Sequence, residues 1–209
     1  FGFVSSQHKF LEIPKISDDD LKSTKSAKYP DAPAEVLFRS IHFRIDYDGF
    51  LYKDVVDRVK IYNKDNAADY LDFKISQYED NRGSRETLSN LKAYTYNWEN
   101  GKKVEAKVER NEKYKSKEDK NYIVTKFAFP NVKDGSIVEY SYLLYTPFIG
   151  STPRVMIEDE IPVRYVEYVF DSPKPIGYNI NYKGDLLPTF REMEEKKIYG
   201  GDYQLYRFG

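Results

Sequence analysis

Hydrophobic and polar residues alternate with a period of two along most of the chain after residue 33. In the segment 41–47, isoleucine, phenylalanine and tyrosine occupy the odd positions, whereas His42, Arg44 and Asp46 occupy the even ones. Such alternation is typical of a strand with one buried face. Similar segments recur every ~8–15 residues between turn residues, and helical periodicity is almost absent. The pattern predicts an all-β fold, an antiparallel β-sandwich of about twelve strands with little helix.

The clearest turn signal lies at Asn100-Gly101. Residues 94–98 alternate before it, and residues 104–108 alternate after it. Asn and Gly tolerate the positive φ angles that a tight two-residue turn requires. The two segments are therefore predicted to pair as an antiparallel hairpin.

The C-terminal third of the chain is also predicted to consist of strands, because apolar residues alternate there as well. The predicted segments are 154–161, 163–170, 176–182 and 186–193, followed by a hairpin around Gly200-Gly201 that leads into 203–208.

The N-terminal residues lack this alternation. We expect residues 1–26 to form an arm and residues 27–209 to form the β-sandwich domain. Within the arm, Ser17 precedes three aspartates, Asp18 to Asp20. A serine can cap a helix, and acidic residues in the first turn favour the helix dipole. A short helix is therefore predicted to begin there.

Composition and charge exclude several classes of function. The chain has 33 Lys and Arg residues against 34 Asp and Glu residues, with a formal net charge of −1. Without a basic stripe, no nucleic-acid partner is expected. No apolar run reaches the ~18 residues that a membrane span needs. The chain begins at Phe1 rather than Met, so we expect either a removed leader or a cut chain.

Residues suited to catalysis are scarce. The sequence has no Cys and two histidines, His8 and His42. We interpret His42 as an exposed histidine on the polar side of a strand, because a general base or metal centre needs converging partners. No serine lies in a Gly-x-Ser-x-Gly elbow, and no phosphate-binding loop occurs. We expect no catalytic residue, no cofactor and no metal ligand in this chain.

Glu139 is the most informative acidic residue. It lies within the run 136–148, where both alternating sets of positions are largely apolar, so a central strand covered on both faces is predicted. An isolated carboxylate is costly to bury. We expect an internal ion pair with an arginine such as Arg58 or Arg164, while a ligand-facing role and simple exposure remain the alternatives.

Tyr94, Tyr96 and Trp98 form a row on one side of their predicted strand. Flat aromatic rings can stack on sugars, so the row is a candidate ligand surface. Aromatic residues on one strand face more often belong to a hydrophobic core. The sequence is compatible with both hypotheses, a ligand surface and a part of the core.

Several segments together resemble a known family. The most specific is Phe129-Pro-Asn-Val-Lys-Asp-Gly-Ser-Ile-Val-Glu-Tyr140. The supporting segments are Tyr29–Leu37, Arg58–Asn63, Ala93–Asn97 with Asn100–Lys102, and Glu160–Glu167 leading to Ser172-Pro173. From about Ala27 to Phe208 the chain resembles domain-of-unknown-function family 3857, which precedes transglutaminase-like domains in exported bacterial proteins.

This resemblance implies a β-sandwich without catalytic residues, since the Cys-His-Asp machinery of such proteins belongs to the following domain. It also implies export to the periplasm or the cell surface. We therefore expect a non-catalytic accessory domain whose partner is the adjacent transglutaminase-like domain. The alternative is a carbohydrate- or peptidoglycan-binding module with a tyrosine-rich surface, so a glycan or a peptide is a further candidate partner.

Overall fold

The computed structural model describes residues 13–148, 155–176, 180–183, 187–198 and 201–209. The described residues form eleven strands in two sheets and very little helix. The predicted fold class, an all-β sandwich, is confirmed.

One short α-helix, α1, spans Asp18–Lys22, and two 3-10 turns span Asp65–Tyr70 and Arg110–Glu112. The strands are β1 (Ala34–Ile45), β2 (Leu51–Ile61), β3 (Asp72–Tyr78), β4 (Thr87–Glu99), β5 (Lys102–Lys107), β6 (Tyr114–Lys117), β7 (Tyr122–Ala128), β8 (Ile137–Thr146), β9 (Val166–Pro173), β10 (Arg191–Ile198) and β11 (Gly201–Phe208).

The large sheet has eight strands in the order β10-β11-β9-β1-β2-β8-β4-β5, and the small sheet has three in the order β3-β7-β6. All named pairs are antiparallel except β1 with β9, which run parallel. The first strand of the chain therefore lies in the middle of the large sheet, between β2 and β9.

The small sheet packs on one face of the large sheet, which we call the inner face. Phe127 on β7 meets Val59 on β2 and Val138 on β8 in one buried cluster. A second cluster covers the inner face of β1, β9 and β11, where Phe43, Tyr168 and Phe208 are buried. Side chains alternate along a strand, so the residues next to these on each strand face the other way. We call that side of the large sheet the outer face.

The C-terminal strands differ from the prediction. Of the predicted segments 154–161 and 163–170, residue 154 lies outside the described residues, and 155–165 form one isolated bridge, between Val163 and Val36. The strand itself begins at Val166. Val155 and Ile157 pack on the second cluster, whereas Ile161 is buried in the cluster that joins the two sheets, so the apolar residues alternate here without pairing as a strand.

The predicted strand 176–182 is wrong at its described residues, 176 and 180–182, for the same reason. Residues 177–179 lie outside the described residues, and 180–183 have no regular secondary structure. Ile176, Ile180 and Tyr182 pack on the second cluster. The sequence predicts the next strand, β10, from residue 186, but the strand begins five residues later, at Arg191. It pairs antiparallel with β11, and residues 199 and 200 between the two strands are not described.

The hairpin at Asn100-Gly101 is confirmed. The strands β4 and β5 pair antiparallel up to Glu99 and Lys102. Asn100 and Gly101 have φ angles of 50° and 77°, as a tight two-residue turn of this kind needs.

We expect Gly101→Val to lower the free energy of unfolding by about 1 kcal/mol or more, because a β-branched residue is strained at positive φ. No atom lies within 4 Å of a β-carbon built at this position, so the cost comes from the backbone alone. Gly101→Asn is the matched control, since Asn tolerates positive φ. Urea unfolding of both variants measures the difference, and equal loss in both would contradict a conformational cause.

Candidate functional site on the outer face

Residues 13–26, which we call the strap, lie on the outer face of the large sheet. Ser17 caps α1 as predicted, since its Oγ accepts a hydrogen bond of 3.0 Å from the Asp20 amide. Leu21 is 2% exposed and belongs to a buried cluster with Leu37 of β1 and Ile137 of β8. The described part of the predicted arm is therefore packed against the domain.

The aromatic row of β4 lies beneath the strap. Tyr96 is 8% exposed and belongs to the same cluster as Leu21, while Tyr94 and Trp98 pack against it and remain half-buried. The amino group of Lys22 lies 4.3 Å from the centre of the Trp98 ring. Of the two hypotheses for this row, core packing describes Tyr96, and the strap covers part of the surface that a sugar would need.

Lys60 on β2 links the strap to the large sheet by hydrogen bonds. Its side chain is fully buried, and its Nζ donates to the Leu21 carbonyl at 3.0 Å and to the Gly135 carbonyl at 2.6 Å. Burial lowers the pKa of Lys60 from 10.5 to about 8, although the nearby Asp20 carboxylate opposes the shift. A lysine whose pKa is lower in the folded state makes the protein less stable when protonated.

We expect the free energy of unfolding to rise with pH because of Lys60. The unfolded chain binds more protons than the folded protein between the two pKa values, so stability increases by about 2 kcal/mol from pH 7 to pH 9.5. Urea unfolding across this range checks the rise, with Lys60→Met as the reference for all other groups. Parallel pH profiles for the two proteins would show that Lys60 is not responsible.

Glu139 pairs with Arg58, one of the two predicted partners. The Arg58 Nε donates to the Glu139 Oε2 at 2.6 Å, and the side chains are 7% and 15% exposed. The Arg58 Nη1 also donates to the Pro14 carbonyl of the strap at 2.8 Å. Tyr96 contributes a longer contact of 3.5 Å to the same carboxylate.

The expected coverage of β8 is only partly correct. The strand is central in the sheet, between β2 and β4. Ile137 and Val138 are buried, but residues 139–145 are half-buried. The apolar pattern on both faces of this strand therefore predicts more burial than is observed, because neither the strap nor the small sheet covers its second half completely.

Arg164 binds the strap and not Glu139. Its guanidinium pairs with Asp20 of α1 and with Glu35 of β1. Burial alone would raise the pKa of Asp20, but hydrogen bonds from Ser17 and Arg164 outweigh it and lower that pKa. The strap is thus held by an ion pair at the edge of the cluster and by Lys60 beneath it.

His42 is buried, and its interpretation as an exposed strand histidine is wrong. It is 3% exposed, and its Nε2 lies 2.7 Å from the Oδ2 of Asp171, which is fully buried. The cause is the parallel pairing of β1 with β9, which brings Asp171 beside the polar positions of β1. The two residues are 129 positions apart. The other histidine, His8, lies outside the described residues.

The His42–Asp171 pair resembles part of a catalytic relay, and the described residues place one hydroxyl near it on the same strand. Ser40 is the closest hydroxyl along β1 on the same face, and its Oγ donates to the Glu167 Oε1 at 2.7 Å. Glu167 also accepts from Tyr165 and Arg207. A serine held in this way by a carboxylate is not aligned for activation by His42.

A second buried polar network lies on the inner face. Arg39 pairs with Asp57 of β2 and with Asp159, each at 2.8 Å, and the hydroxyl of Tyr140 donates to Asp57 at 2.9 Å. Burial raises the pKa values of Asp57 and Tyr140. The network joins the segment 155–165 to the sheet, so it has a structural explanation.

The described ranges of the chain contain no cluster of three or more His, Asp or Glu side chains arranged to hold a metal ion. They also contain no helix that is long and apolar enough to cross a membrane.

Comparison with solved structures finds a similar fold in a longer protein. A crystal structure described as a "putative protease" from Parabacteroides distasonis superposes with a TM-score of 0.61 and 13% identity, over 84% of this chain. The chain spans about a third of that protein, namely 35% of its length. A second structure, described as a "putative nutrient binding protein" from Legionella pneumophila, superposes with 8% identity over 83% of this chain and 62% of the other. Its TM-score of 0.31 is too low to indicate a shared fold.

No curated protein sequence matches the chain at a significant level. The sequence model of one family, a domain of unknown function with solved structures (DUF3857), matches residues 48–208. This range contains every strand except β1. The chain therefore belongs to the DUF3857 family.

Proposed function

We propose that this chain is a non-catalytic accessory domain of a larger exported bacterial protein, and that it positions or regulates an adjacent transglutaminase- or protease-like domain. The observation that carries the proposal is the likeness to about a third of a longer protein described as a "putative protease". A domain that recurs as one part of a longer chain is suited to holding or orienting the remaining parts.

The chemistry of the described side chains supports the non-catalytic role. The sequence lacks Cys, so it cannot supply a thiol nucleophile. The buried pair His42–Asp171 has Ser40 nearby, but that hydroxyl is held by Glu167. Purified protein is expected to be inert toward peptide, amide and glycoside substrates. Turnover that survives repurification and disappears with His42→Ala would contradict this.

The experiment that tests the accessory role uses the catalytic domain of the parent protein, added in trans to this chain. We expect association in the micromolar range by calorimetry and a change in the rate of peptide or amide hydrolysis, since interfaces between domains resemble transient protein interfaces. Absence of both binding and any rate change would overturn the proposal.

The alternative, a glycan-binding module, has less support. The row Tyr94, Tyr96 and Trp98 would have to stack on sugar rings, but Tyr96 is 8% exposed and lies in one cluster with Leu21 of the strap. A glycan array signal that is lost in Trp98→Ala would nevertheless favour this alternative over the accessory role.

A further inference from the structure

One lysine of β2 lies on the apolar inner face of the large sheet. Lys53 has Phe43 of β1 and Leu144 of β8 as its cross-strand partners. Its neighbours along β2 on the same face are Leu51 and Val55, and both are buried. Residues two positions apart on a strand share a face. The side chain of Lys53 therefore has an apolar neighbour on every side within the sheet.

Lys53 has no counter-ion among the residues that the structure describes. Its Nζ lies 5.7 Å from the centre of the Phe43 ring. The charge of Glu86 acts on it, but the Glu86 Oε2 accepts a hydrogen bond of 2.9 Å from the Tyr78 amide instead. Apolar surroundings disfavour an ammonium group without a partner and favour the neutral amine. Burial lowers the pKa of Lys53, and the attraction of Glu86 opposes only part of that shift.

The amino group of Lys53 is accessible, because the inner face is not completely covered at this point. Lys53, Tyr142 and Leu144 are all half-buried. Leu88 of β4 pairs with Leu144 across the strands and is half-buried as well. We call Tyr142, Leu144 and Leu88 the apolar patch. A small molecule can therefore reach Lys53 and rest on apolar side chains beside it.

Two other lysines show why access matters. Burial also lowers the pKa of Lys60 and of Lys113. Lys60 is fully buried, and Lys113 donates a hydrogen bond of 2.9 Å to the Leu91 carbonyl. Lys53 combines a lowered pKa with access from solvent and with an amino group that no described residue holds.

We propose that Lys53 is an acylation site that takes an apolar acyl group from a thioester. The neutral Nζ attacks the carbonyl carbon of the thioester, and an amide bond forms while the carbon–sulfur bond breaks. The leaving thiolate takes the proton that the nitrogen loses. A lysine that is desolvated in apolar surroundings is activated as a nucleophile in this way. This proposal does not depend on the accessory role of the domain.

The surroundings of Lys53 suit the acylated product as well as the free amine. The amide carries no charge, so acylation removes the cost of holding an ammonium group among apolar side chains. The acyl chain lies on the apolar patch and buries hydrocarbon that is otherwise exposed to water. A thioester with an apolar chain is therefore the class of donor that fits this site.

The test uses the full chain and phenyl thiohexanoate as the acyl donor at neutral pH. Mass spectrometry of the digested protein measures the rate of acylation at each lysine. Lys53 is expected to react at least about ten-fold faster than Lys115, which is exposed on β6, because more of its amine is neutral and because the apolar patch binds the chain. The rate at Lys53 is also expected to level off at a lower pH than the rate at Lys115.

Two comparisons test whether the apolar patch takes part. Phenyl thioacetate carries a shorter acyl chain, so the preference for Lys53 over Lys115 is expected to fall at least about three-fold. Leu144→Asp places a carboxylate beside Lys53 and is expected to abolish the preference, because the ion pair stabilises the ammonium form. The matched control is Leu144→Asn, which has the same size without the charge, so the rate at Lys53 should still level off at the lower pH.

If Leu144→Asp does not fold, as judged by circular dichroism, Lys53→Arg replaces it. This variant is expected to lose the fast phase of acylation and to keep the slow phase of the exposed lysines. Equal rates at Lys53 and Lys115 in the folded chain would overturn the proposal. So would an equal preference for Lys53 with both donors, because the apolar patch would then contribute nothing. Acylation of Lys60 before Lys53 would also overturn it, since the reaction would then follow opening of the fold.

Discussion

Phe127→Ala is expected to lower the free energy of unfolding by about 4 kcal/mol, because removal of a buried phenylalanine ring costs about 3–5 kcal/mol. Phe127 is 4% exposed on β7, the middle strand of the small sheet. Its ring stacks on Phe73 at 4.9 Å and meets the edge of Phe129 at 5.3 Å. The same side chain belongs to the cluster that joins the two sheets.

Thermal unfolding of this variant also shows whether the two sheets form one cooperative unit. Trp98 lies on the large sheet, so its fluorescence reports a region remote from the substitution. A loss of this size should lower the midpoint by about 8–16 °C, equally by fluorescence and by circular dichroism. Tyr114→Ala is the control, because Tyr114 is 69% exposed on the neighbouring strand β6. Two separate transitions would show that the small sheet unfolds independently.

Glu139→Ala is expected to lower the free energy of unfolding by about 3 kcal/mol, because loss of one partner leaves the other charge buried and without its counter-ion. Arg58 would keep the Pro14 carbonyl as its acceptor, which does not neutralise its charge. Urea unfolding at neutral pH measures the effect. An exposed ion pair would contribute only about 0–1 kcal/mol, so the result separates the two situations.

Two variants serve as controls for Glu139. Glu105 is exposed on β5, and its replacement by Ala should change stability by less than about 0.5 kcal/mol. In the double variant Arg58→Met/Glu139→Leu, neither charge is left alone, so most of the loss should be recovered. An unchanged unfolding curve for Glu139→Ala would mean that the pair with Arg58 contributes nothing to stability.

Features that depend on neighbouring residues in the sequence were predictable. The alternation in 41–47 identifies a strand, Asn100-Gly101 identifies the turn between β4 and β5, and Ser17 identifies the start of α1. Each of these signals is physical and local: side-chain period, tolerance of positive φ, and capping of free amide groups. The choice of Arg58 or Arg164 for Glu139 followed from the cost of an isolated charge, which narrows the partner to a cation but does not determine its position.

Features that depend on distant residues were not predictable in this way. The sequence alone predicts an exposed His42 on the polar face of its strand. The residue is buried because β9 pairs in parallel with β1, and no local signal in the sequence indicates that pairing. The burial of Tyr96 depends on the strap, which approaches from 75 positions earlier at Leu21. Apolar alternation in 155–163 is equally compatible with a strand and with a loop that covers a cluster, so period alone could not separate them.

The position of β1 has a consequence for how the chain folds and for how it can be shortened. β1 pairs with β2 directly and with β9 across more than a hundred residues, as the contact between Ser40 and Glu167 shows at a separation of 127. Such non-local pairing has a large loop-closure cost and makes folding slow. A chain started at residue 48, where the family match begins, would lack β1. It would leave β2 and β9 as two unpaired strand edges in the interior of the sheet, a template for aggregation.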